Sequence, residues 1–357
     1  LVEEENSIPR AKFFKPIGGF HSVSVIFPRL EDVINYEEGH ISVNQGYPRF
    51  VTHPVVKCLE EEWREKFKAL EALACNSYDT ALFLVIDAFL KRGKRIFFGT
   101  GLASNYHEFL VNKFPDLLGE TDPSNAQVIL KQLNKGDHSP LETNVITIGF
   151  TRELKRIDLR RNYDIIIVED SKHEIGIILN FNIQNLALDL MRRHCGFITS
   201  SRELTPSKKR NTIRRESLKT EIVKKISELE HVTPKHCYLY PSGMAAVFTA
   251  IFSLLNEGKG PFLGLGSLYV DTLRILEKWP SKYGLAETIF IRKNVSNKLA
   301  ALHQNKIAGA ILEFPSNPLI ELMDVEKVID QVHSREGKVI IDNTIATPYN
   351  FRPFDHG

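Results

Sequence analysis

The sequence predicts an α/β fold whose C-terminal part is built on a mostly parallel sheet. Two observations predict it. From about residue 240 onward, short apolar runs such as 262–265 and 308–313 alternate with amphipathic runs such as 325–335. Repeated β-α-β order with apolar strands is typical of a parallel sheet that is covered on both faces. The length of 357 residues is also enough for two or three domains with sizeable cores.

Composition and charge exclude several classes of protein. The formal net charge of +2 gives no argument for a nucleic-acid partner. No apolar run reaches the roughly 18 residues of a membrane span, and residues 1–5 (LVEEE) lack the features of a secretory signal. The four cysteines are scattered without a Cys-x-x-Cys pair, which indicates free thiols in a reducing compartment. We therefore expect a cytoplasmic protein with no membrane partner, no nucleic-acid partner and no metal site.

Residues 1–190 predict an extra α/β region ahead of the main sheet, since helical and apolar strand patterns alternate over about 60–190. The predicted elements, in order, are helices over 54–73 and 82–90, a strand over 95–98, a loop over 119–143, strands over 163–168 and 175–179, and a helix over 183–193.

One glycine-rich run in this region leaves two interpretations open. Gly99 and Gly101 follow the strand 95–98, as in a dinucleotide-binding fingerprint, and Glu120 lies about where a ribose-binding acid is expected. Ser104 replaces the third glycine of that fingerprint, which favours a tight strand-to-helix turn. Nucleotide binding here predicts that NAD or ATP raises the melting temperature.

The stretch 240–248 (YPSGMAAVF) organises the C-terminal part. An apolar run at 237–239 stops at Pro241, and a helical run follows over 244–255, which predicts a strand, a Ser-Gly turn and a helix N-terminus. Such a terminus presents unpaired N–H groups, and a glycine lets a phosphate approach them closely. Ser242 could cap the helix or bind the phosphate. An ordinary capped helix and a phosphate site both remain possible.

The strands and helices that follow predict where a ligand would lie. Predicted strands cover 262–265, 288–291, 308–313 and 338–342, and predicted helices cover 269–279, 296–303 and 325–335. Ligands of such sheets bind beyond the carboxyl ends of the strands. Three polar groups are expected there, at 242–244, 316–318 and 342–344.

Two side chains near these strand ends point to chemistry. Asp342 ends a buried apolar strand and needs a partner. That partner could be the protonated ring nitrogen of pyridoxal phosphate, Mg²⁺ or the backbone N–H groups that follow. Tyr269 could stack on a planar ring or pack in the core.

Four runs of the C-terminal part carry a resemblance to a known family. They are 240–246 (YPSGMAA), 268–272 (LYVDT), 313–319 (EFPSNPL) and 339–348 (VIIDNTIATP). In order and spacing they resemble the blocks of the Cys/Met-metabolism PLP-dependent enzymes, which include cystathionine γ-synthase, cystathionine lyases and O-acetylhomoserine sulfhydrylase. The resemblance covers about residues 195–357. Segments at 21–25, 36–39, 46–50 and 196–202 are similar to the long, fungal-type cystathionine γ-synthase-like branch, whose extra N-terminal region residues 1–190 would represent.

The resemblance implies a fold-type-I PLP-dependent transferase, with residues 191–357 as the N-terminal part of the cofactor-binding large domain. It implies that pyridoxal 5'-phosphate is the cofactor. The implied cofactor-binding residues are Ser242, Gly243 and Met244 at the phosphate, Tyr269 stacked on the ring, Asp342 at the ring nitrogen, and Asn317 and Thr344 near the ring oxygen.

The family also uses a Tyr-x-Arg pair at the phosphate of the neighbouring subunit, and two places here compete for it. Residues 47–49 (YPR) match the residue types, whereas 200–202 (SSR) match the position in the order of blocks. We expect Arg202 to meet the phosphate in preference to Arg49, because its position in the order of blocks is the better match, with Ser200 in place of the tyrosine. An arginine makes a bidentate phosphate contact that a serine cannot replace.

The activity implied by the resemblance is γ-replacement of an O-acylated homoserine by cysteine, which gives cystathionine and belongs to methionine biosynthesis and cysteine metabolism. γ-Elimination, sulfhydrylation and a non-catalytic homologue remain alternatives. The Schiff-base lysine is expected beyond Gly357, so we expect the chain to be an inactive part of a longer, homo-oligomeric enzyme (a dimer or tetramer) that acts on small amino acids.

Overall fold

The computed structural model describes twelve ranges of the chain. They are residues 54–90, 94–98, 118–119, 126–133, 145–151, 163–200, 203–204, 212–257, 260–280, 287–303, 305–317 and 319–357. The chain divides into two compact units, an N-terminal unit (1–193 and 197–207) and a C-terminal unit (194–196 and 208–357). The predicted division of roles between 1–190 and 191–357 stays a prediction.

Within its described residues the N-terminal unit holds a mixed sheet with the order β1-β7-β6-β5-β4-β2-β3. The strands are β1 Glu71–Cys75, β2 Ile96–Phe98, β3 Leu118–Gly119, β4 Val128–Gln132, β5 Ile146–Thr151, β6 Ile165–Asp170 and β7 Ile175–Asn180. Strands β2 to β6 pair in parallel, while β7 runs antiparallel to both β6 and β1.

In the described part of this unit three helices accompany the sheet, α1 Pro54–Phe67, α2 Tyr78–Leu90 and α3 Leu188–His194. Every residue of α2 from position 81 to its end is buried, so α2 is a core helix rather than an amphipathic one. Helix α1 packs against β1 and β7 through Val56, Leu59 and Trp63. The sheet therefore has an apolar core on which both helices depend.

A buried arginine ties α1, β1 and α3 together. Arg192 is fully buried. Its guanidinium donates to the carbonyl oxygen of Ala74 at 2.5 Å, to Asp189 Oδ1 at 2.6 Å and to Glu60. Glu60 in turn accepts the N–H of Ala74 at 2.9 Å. Burial alone would lower the pKa of Arg192, but Glu60 and Asp189 raise it above its ordinary value, so the guanidinium stays charged.

The C-terminal unit contains a fully parallel sheet among its described residues, with the order β11-β10-β8-β9. Its strands are β8 Phe262–Leu265, β9 Ile289–Ile291, β10 Gly309–Glu313 and β11 Lys338–Asp342. Its helices are α4 Thr212–Leu229, α5 Gly243–Glu257, α6 Val270–Lys278, α7 Val295–Ala300, α8 Val325–His333 and α9 Thr347–Asn350, with 3-10 turns at Pro234–His236 and Pro353–Asp355.

Helices cover both faces of this sheet. Leu263 and Leu312 share an apolar cluster with residues of α7 and α8, including Val295 and Val328. On the other face, Gly264 lies against α6, where an added Cβ would stand 3.2 Å from the side chain of Leu276. The predicted α/β class with a mostly parallel, doubly covered sheet is confirmed.

Two predicted helices are wrong at one end, and one predicted strand does not form. The helix predicted over 54–73 stops at Phe67, because Lys68 adopts a left-handed φ of 51° and the chain then enters β1. The helix predicted over 183–193 begins only at Leu188, because Asn185 and Ala187 have positive φ angles of 60° and 55°. No strand forms at 237–239, where Tyr238 is 72% exposed.

The loop predicted over 119–143 is wrong in part, since β4 occupies Val128–Gln132. Strand β5 was not predicted. The glycine-rich run 99–104 and Glu120 lie outside the described residues, as does everything predicted for residues 1–53. No helix among the described residues is long and apolar enough to cross a membrane.

Replacement of Arg192 by methionine is expected to destabilise the N-terminal unit by about 3–5 kcal/mol, because the Glu60 carboxylate, whose side chain is only 12% exposed, loses its counter-charge. Denaturant unfolding followed by circular dichroism measures this. The matched control is Arg64→Met, which removes a surface ion pair with Glu61 in α1 and should leave the midpoint unchanged. Equal midpoints for Arg192→Met and wild type would contradict the assigned role.

Candidate functional site

The candidate site lies at the carboxyl edge of the parallel sheet in the C-terminal unit. Tyr269 follows β8 as the N-cap residue of α6. Glu313 is the last residue of β10, and Asp342 is the last residue of β11. The two carboxylates stand side by side, because β10 and β11 pair with Glu313 opposite Asp342. Parallel pairing therefore brings two acidic side chains to one edge.

Helix α5 points its N-terminus at the same edge. It packs against β11. Near its C-terminal end, Leu254 faces the start of β10, where a Cβ on Gly309 would stand 2.8 Å from the Leu254 side chain. The C-terminal end of α5 therefore lies at the amino edge of the sheet, and α5 runs antiparallel to the strands. Its 15 residues span roughly 20 Å, which brings its first residues toward the carboxyl edge.

Ser242 shapes the start of α5. Its Oγ accepts the N–H of Ala245 at 3.1 Å and donates to the carbonyl oxygen of Gly196 at 3.1 Å. A serine that accepts the N–H three residues on is a standard N-cap. Within the part of the chain that the structure describes, the N–H groups of Gly243 and Met244 have no partner. They are the donors that an anion at this terminus would use.

Two glycines near the N-terminus of α5 differ in the space that surrounds them. A Cβ on Gly243 would meet nothing within 4 Å, so the space beside its Cα is open. Gly196 has a φ of +67°, and a Cβ there would stand 2.4 Å from Ser242 Oγ and 2.7 Å from the nitrogen of Ala245. Gly196 is therefore required by the fold, whereas Gly243 leaves room for a ligand.

One oxygen of Asp342 is held and the other is available. Asp342 Oδ1 accepts both the N–H and the hydroxyl of Thr344, at 3.1 Å and 2.5 Å. Asp342 Oδ2 has no hydrogen-bond partner among the described residues. A half-buried carboxylate that is oriented by one oxygen can receive a proton-bearing ring nitrogen with the other.

Glu313 links two of the predicted site residues. Its side chain accepts the backbone N–H of Tyr269 through Oε1 and that of Asn317 through Oε2, the latter at 3.2 Å. Burial, and to a smaller extent the neighbouring carboxylate of Asp342, raises the pKa of Glu313. The two N–H donors oppose that rise, because they stabilise the charged form.

Seven of the eight predicted cofactor residues lie in the described part of the structure. Ser242 caps α5, and Gly243 and Met244 are its first two residues. Asp342 ends β11, while Tyr269, Asn317 and Thr344 follow strand ends of the sheet. Arg202, and its competitor Arg49, lie outside the described residues. The roles given to all eight stay predictions. No group of three or more potential metal ligands occurs among the residues that were described.

Sequence reasoning missed two residues of this site. Glu313 carries the same signal as Asp342, an acid that ends a buried apolar run, and that signal could have found it. Gly196 gives no local signal, because its partner Ser242 lies 46 residues away in the chain.

Comparison with known proteins gives a family match for the C-terminal part. Residues 207–357 match the family model described as Cys/Met metabolism PLP-dependent enzyme. L-methionine gamma-lyase of Treponema denticola is 36% identical over 141 residues, which are 39% of this chain and 34% of that protein. Cystathionine gamma-lyase of Dictyostelium discoideum is 29% identical over 34% of this chain and 31% of that protein.

A third relative is O-succinylhomoserine sulfhydrylase of Mycobacterium tuberculosis, 32% identical over 30% of this chain and 26% of its own. The chain thus spans about a third of the length of the curated relatives that it matches. Among solved structures, cystathionine gamma synthase from Xanthomonas oryzae pv. oryzae aligns with a TM-score of 0.36 at 15% identity, over 53% of this chain and 59% of that one.

Substitution of Gly196 and of Gly243 by alanine should have different effects on thermal stability. Gly196→Ala should lower the thermal midpoint of the C-terminal unit, at a cost of roughly 1–3 kcal/mol, because the left-handed φ and the contact with Ser242 both resist a Cβ. Gly243→Ala should leave the midpoint equal to or above that of wild type, since the added methyl meets open space in the first turn of a helix. Differential scanning calorimetry measures both. A midpoint for Gly196→Ala as high as that for Gly243→Ala would contradict this geometry.

Proposed function

Because this chain belongs, through residues 207–357, to the Cys/Met metabolism PLP-dependent enzymes, we propose that its protein catalyses γ-replacement on an O-acylated homoserine. Cysteine is the incoming nucleophile, its sulfur replaces the acyloxy group at the γ-carbon, and the product is cystathionine. The observation that carries the proposal is the family match together with a sheet edge that offers both free N–H donors and an available carboxylate oxygen.

The residues at the carboxyl edge fit pyridoxal phosphate, the cofactor of this family. Gly243 and Met244 would donate their free N–H groups to the phosphate, and the missing Cβ at Gly243 leaves space for it. The Oδ2 atom of Asp342 would accept the proton of the ring nitrogen. When bound, the cofactor supplies an electron sink for carbon-centred negative charge, and a carboxylate at its ring nitrogen strengthens that sink.

Four further side chains would complete the site. Tyr269, half-buried after β8, would stack its ring on the cofactor ring. The exposed side chains of Asn317 and Thr344 would lie near the ring oxygen. Arg202 would make a bidentate contact with a phosphate, in the neighbouring subunit of a cytoplasmic homo-oligomer.

γ-Elimination is a second candidate, because the relatives named above include two γ-lyases. Both reactions expel a group from the γ-carbon, and they differ in what happens next. Replacement needs a thiol to enter, whereas elimination releases a 2-oxo acid and ammonia. None of the residues described at the sheet edge separates the two.

Purified protein from the complete gene should bind pyridoxal phosphate and absorb visible light. Asp342→Ala should lose most of the activity, because the electron sink weakens without a carboxylate at the ring nitrogen. Gly243→Ala should weaken cofactor affinity about tenfold while its fold stays intact, since its methyl would occupy the phosphate approach. Absorption spectra and equilibrium dialysis measure these effects.

The control for Asp342→Ala is Asp330→Ala, an exposed aspartate on α8, which should behave as wild type. A colourless wild-type protein that added pyridoxal phosphate leaves unchanged would remove the proposal and favour a non-catalytic homologue.

Given O-acetyl- or O-succinylhomoserine together with cysteine, the protein should form cystathionine in preference to 2-oxobutyrate. Mass spectrometry of the products, with ammonia release assayed in parallel, separates replacement from elimination. Ammonia and 2-oxobutyrate as the main products, with cysteine unconsumed, would overturn γ-replacement in favour of a lyase.

A further inference from the structure

Resting on the proposed function, we infer that Glu313 is a positioning residue that sets Tyr269 and Asn317 around the cofactor ring. It acts through backbone N–H groups, not through contact with the cofactor. A single carboxylate at the end of β10 thereby fixes residues from two different strand-to-helix connections.

The contacts of Glu313 carry this inference. The residue is 4% exposed, so its carboxylate is shielded from water. Each oxygen accepts one backbone N–H, Oε1 from Tyr269 and Oε2 from Asn317. Tyr269 lies 44 residues from Glu313 in the chain, so the contact is a tertiary one that depends on the pairing of β8 with β10.

Burial makes this carboxylate costly, and its two partners explain why it stands there. A buried carboxylate without hydrogen bonds is strongly disfavoured. Its neighbour in the sheet, Asp342, carries the same charge and adds to the cost. Two N–H bonds to a charged acceptor are stronger than bonds to a neutral one, so they offset part of this cost. An apolar residue at position 313 would leave both N–H groups without this acceptor.

The placement of both donors gives the contact a functional meaning. Tyr269 is the N-cap of α6, and its backbone position decides where its ring can stack. Asn317 follows β10 by four residues, with an exposed side chain. Because one rigid carboxylate holds both backbones, the ring-stacking side chain and the side chain at the ring oxygen keep a fixed relative position.

A second carboxylate joins the same two connections and provides a matched control. Glu321 Oε2 accepts the hydroxyl of Ser267 at 2.9 Å, in the β8 connection, but Glu321 is exposed. Its substitution by glutamine is chemically the same change as Glu313→Gln. It removes one charge at the surface, where the amide oxygen can still accept the Ser267 hydroxyl, and it leaves the N–H groups of Tyr269 and Asn317 bonded.

The test uses Glu313→Gln, in which the amide nitrogen cannot accept an N–H, so one of the two bonds is lost. The affinity for pyridoxal phosphate should fall about tenfold. The visible circular dichroism per bound cofactor should change, because the ring sits differently in its site. Glu321→Gln should retain affinity within about twofold and an unchanged dichroism signal. Equilibrium dialysis and visible circular dichroism on protein from the complete gene give both values.

Several outcomes are distinguishable. Wild-type protein that binds no pyridoxal phosphate overturns the proposed function and this inference with it. Wild-type binding together with unchanged affinity and dichroism in Glu313→Gln overturns this inference alone, even if the melting temperature falls, because Glu313 would then be only structural. If Glu313→Gln does not fold, Glu313→Asp gives the same test, since its shorter side chain keeps the charge but cannot reach both N–H groups.

Discussion

The in-register parallel pairing of β10 with β11 is the constraint on which the candidate site depends. It places two acids, Glu313 and Asp342, next to each other at the end of the buried strand β10 and the half-buried strand β11. Two carboxylates on paired residues of neighbouring strands repel each other, and burial adds to the free-energy cost of keeping them charged. The two acids have different hydrogen-bond partners. Glu313 accepts two backbone N–H groups, one on each oxygen, whereas Asp342 accepts the N–H of Thr344 on Oδ1. The two acids therefore have different roles despite their shared position.

The second constraint is the antiparallel course of α5 relative to the strands. It turns a helix N-terminus toward the edge where the acids stand, so donors and acceptors meet at one end of the sheet. Ser242 uses its hydroxyl to cap the N–H of Ala245 and to bond the carbonyl oxygen of Gly196. The N–H groups of Gly243 and Met244 have no partner among the described residues, and we propose that a ligand takes them. An edge with free donors on one side and a free carboxylate oxygen on another suits a ligand that carries both a phosphate and a basic ring nitrogen.

Local pattern predicted much of the C-terminal sheet. The apolar runs of β8, β10 and β11 predict these strands nearly at their observed bounds. For β8 and β10 the reason is that fully buried parallel strands read as continuous apolar segments. The predicted burial of β11 is wrong, because this strand lies at the end of the strand order and its residues are half-buried or exposed. Helix ends were harder. The helix predicted over 54–73 failed where Lys68 turns left-handed, and the helix over 183–193 failed at Asn185 for the same reason. Backbone reversals of this kind depend on tertiary pairing, here of β1 with β7, which no local periodicity records.

The residues of the candidate site could be predicted from the sequence, but the contacts between them could not. Asp342 is recognisable in the sequence as an acid that follows an apolar run, and Glu313 follows an apolar run in the same way. What sequence could not supply is the strand order β11-β10-β8-β9, which is not the chain order. That order brings the N–H of Tyr269 to Glu313, just as folding alone brings Gly196 to Ser242.

The most direct test of the central claim is a crystal structure of the protein soaked with pyridoxal phosphate. The account predicts a phosphate within hydrogen-bond distance of the N–H groups of Gly243 and Met244, and a ring nitrogen against Asp342. A phosphate seated elsewhere, or a ring whose nitrogen faces away from Asp342, would contradict it.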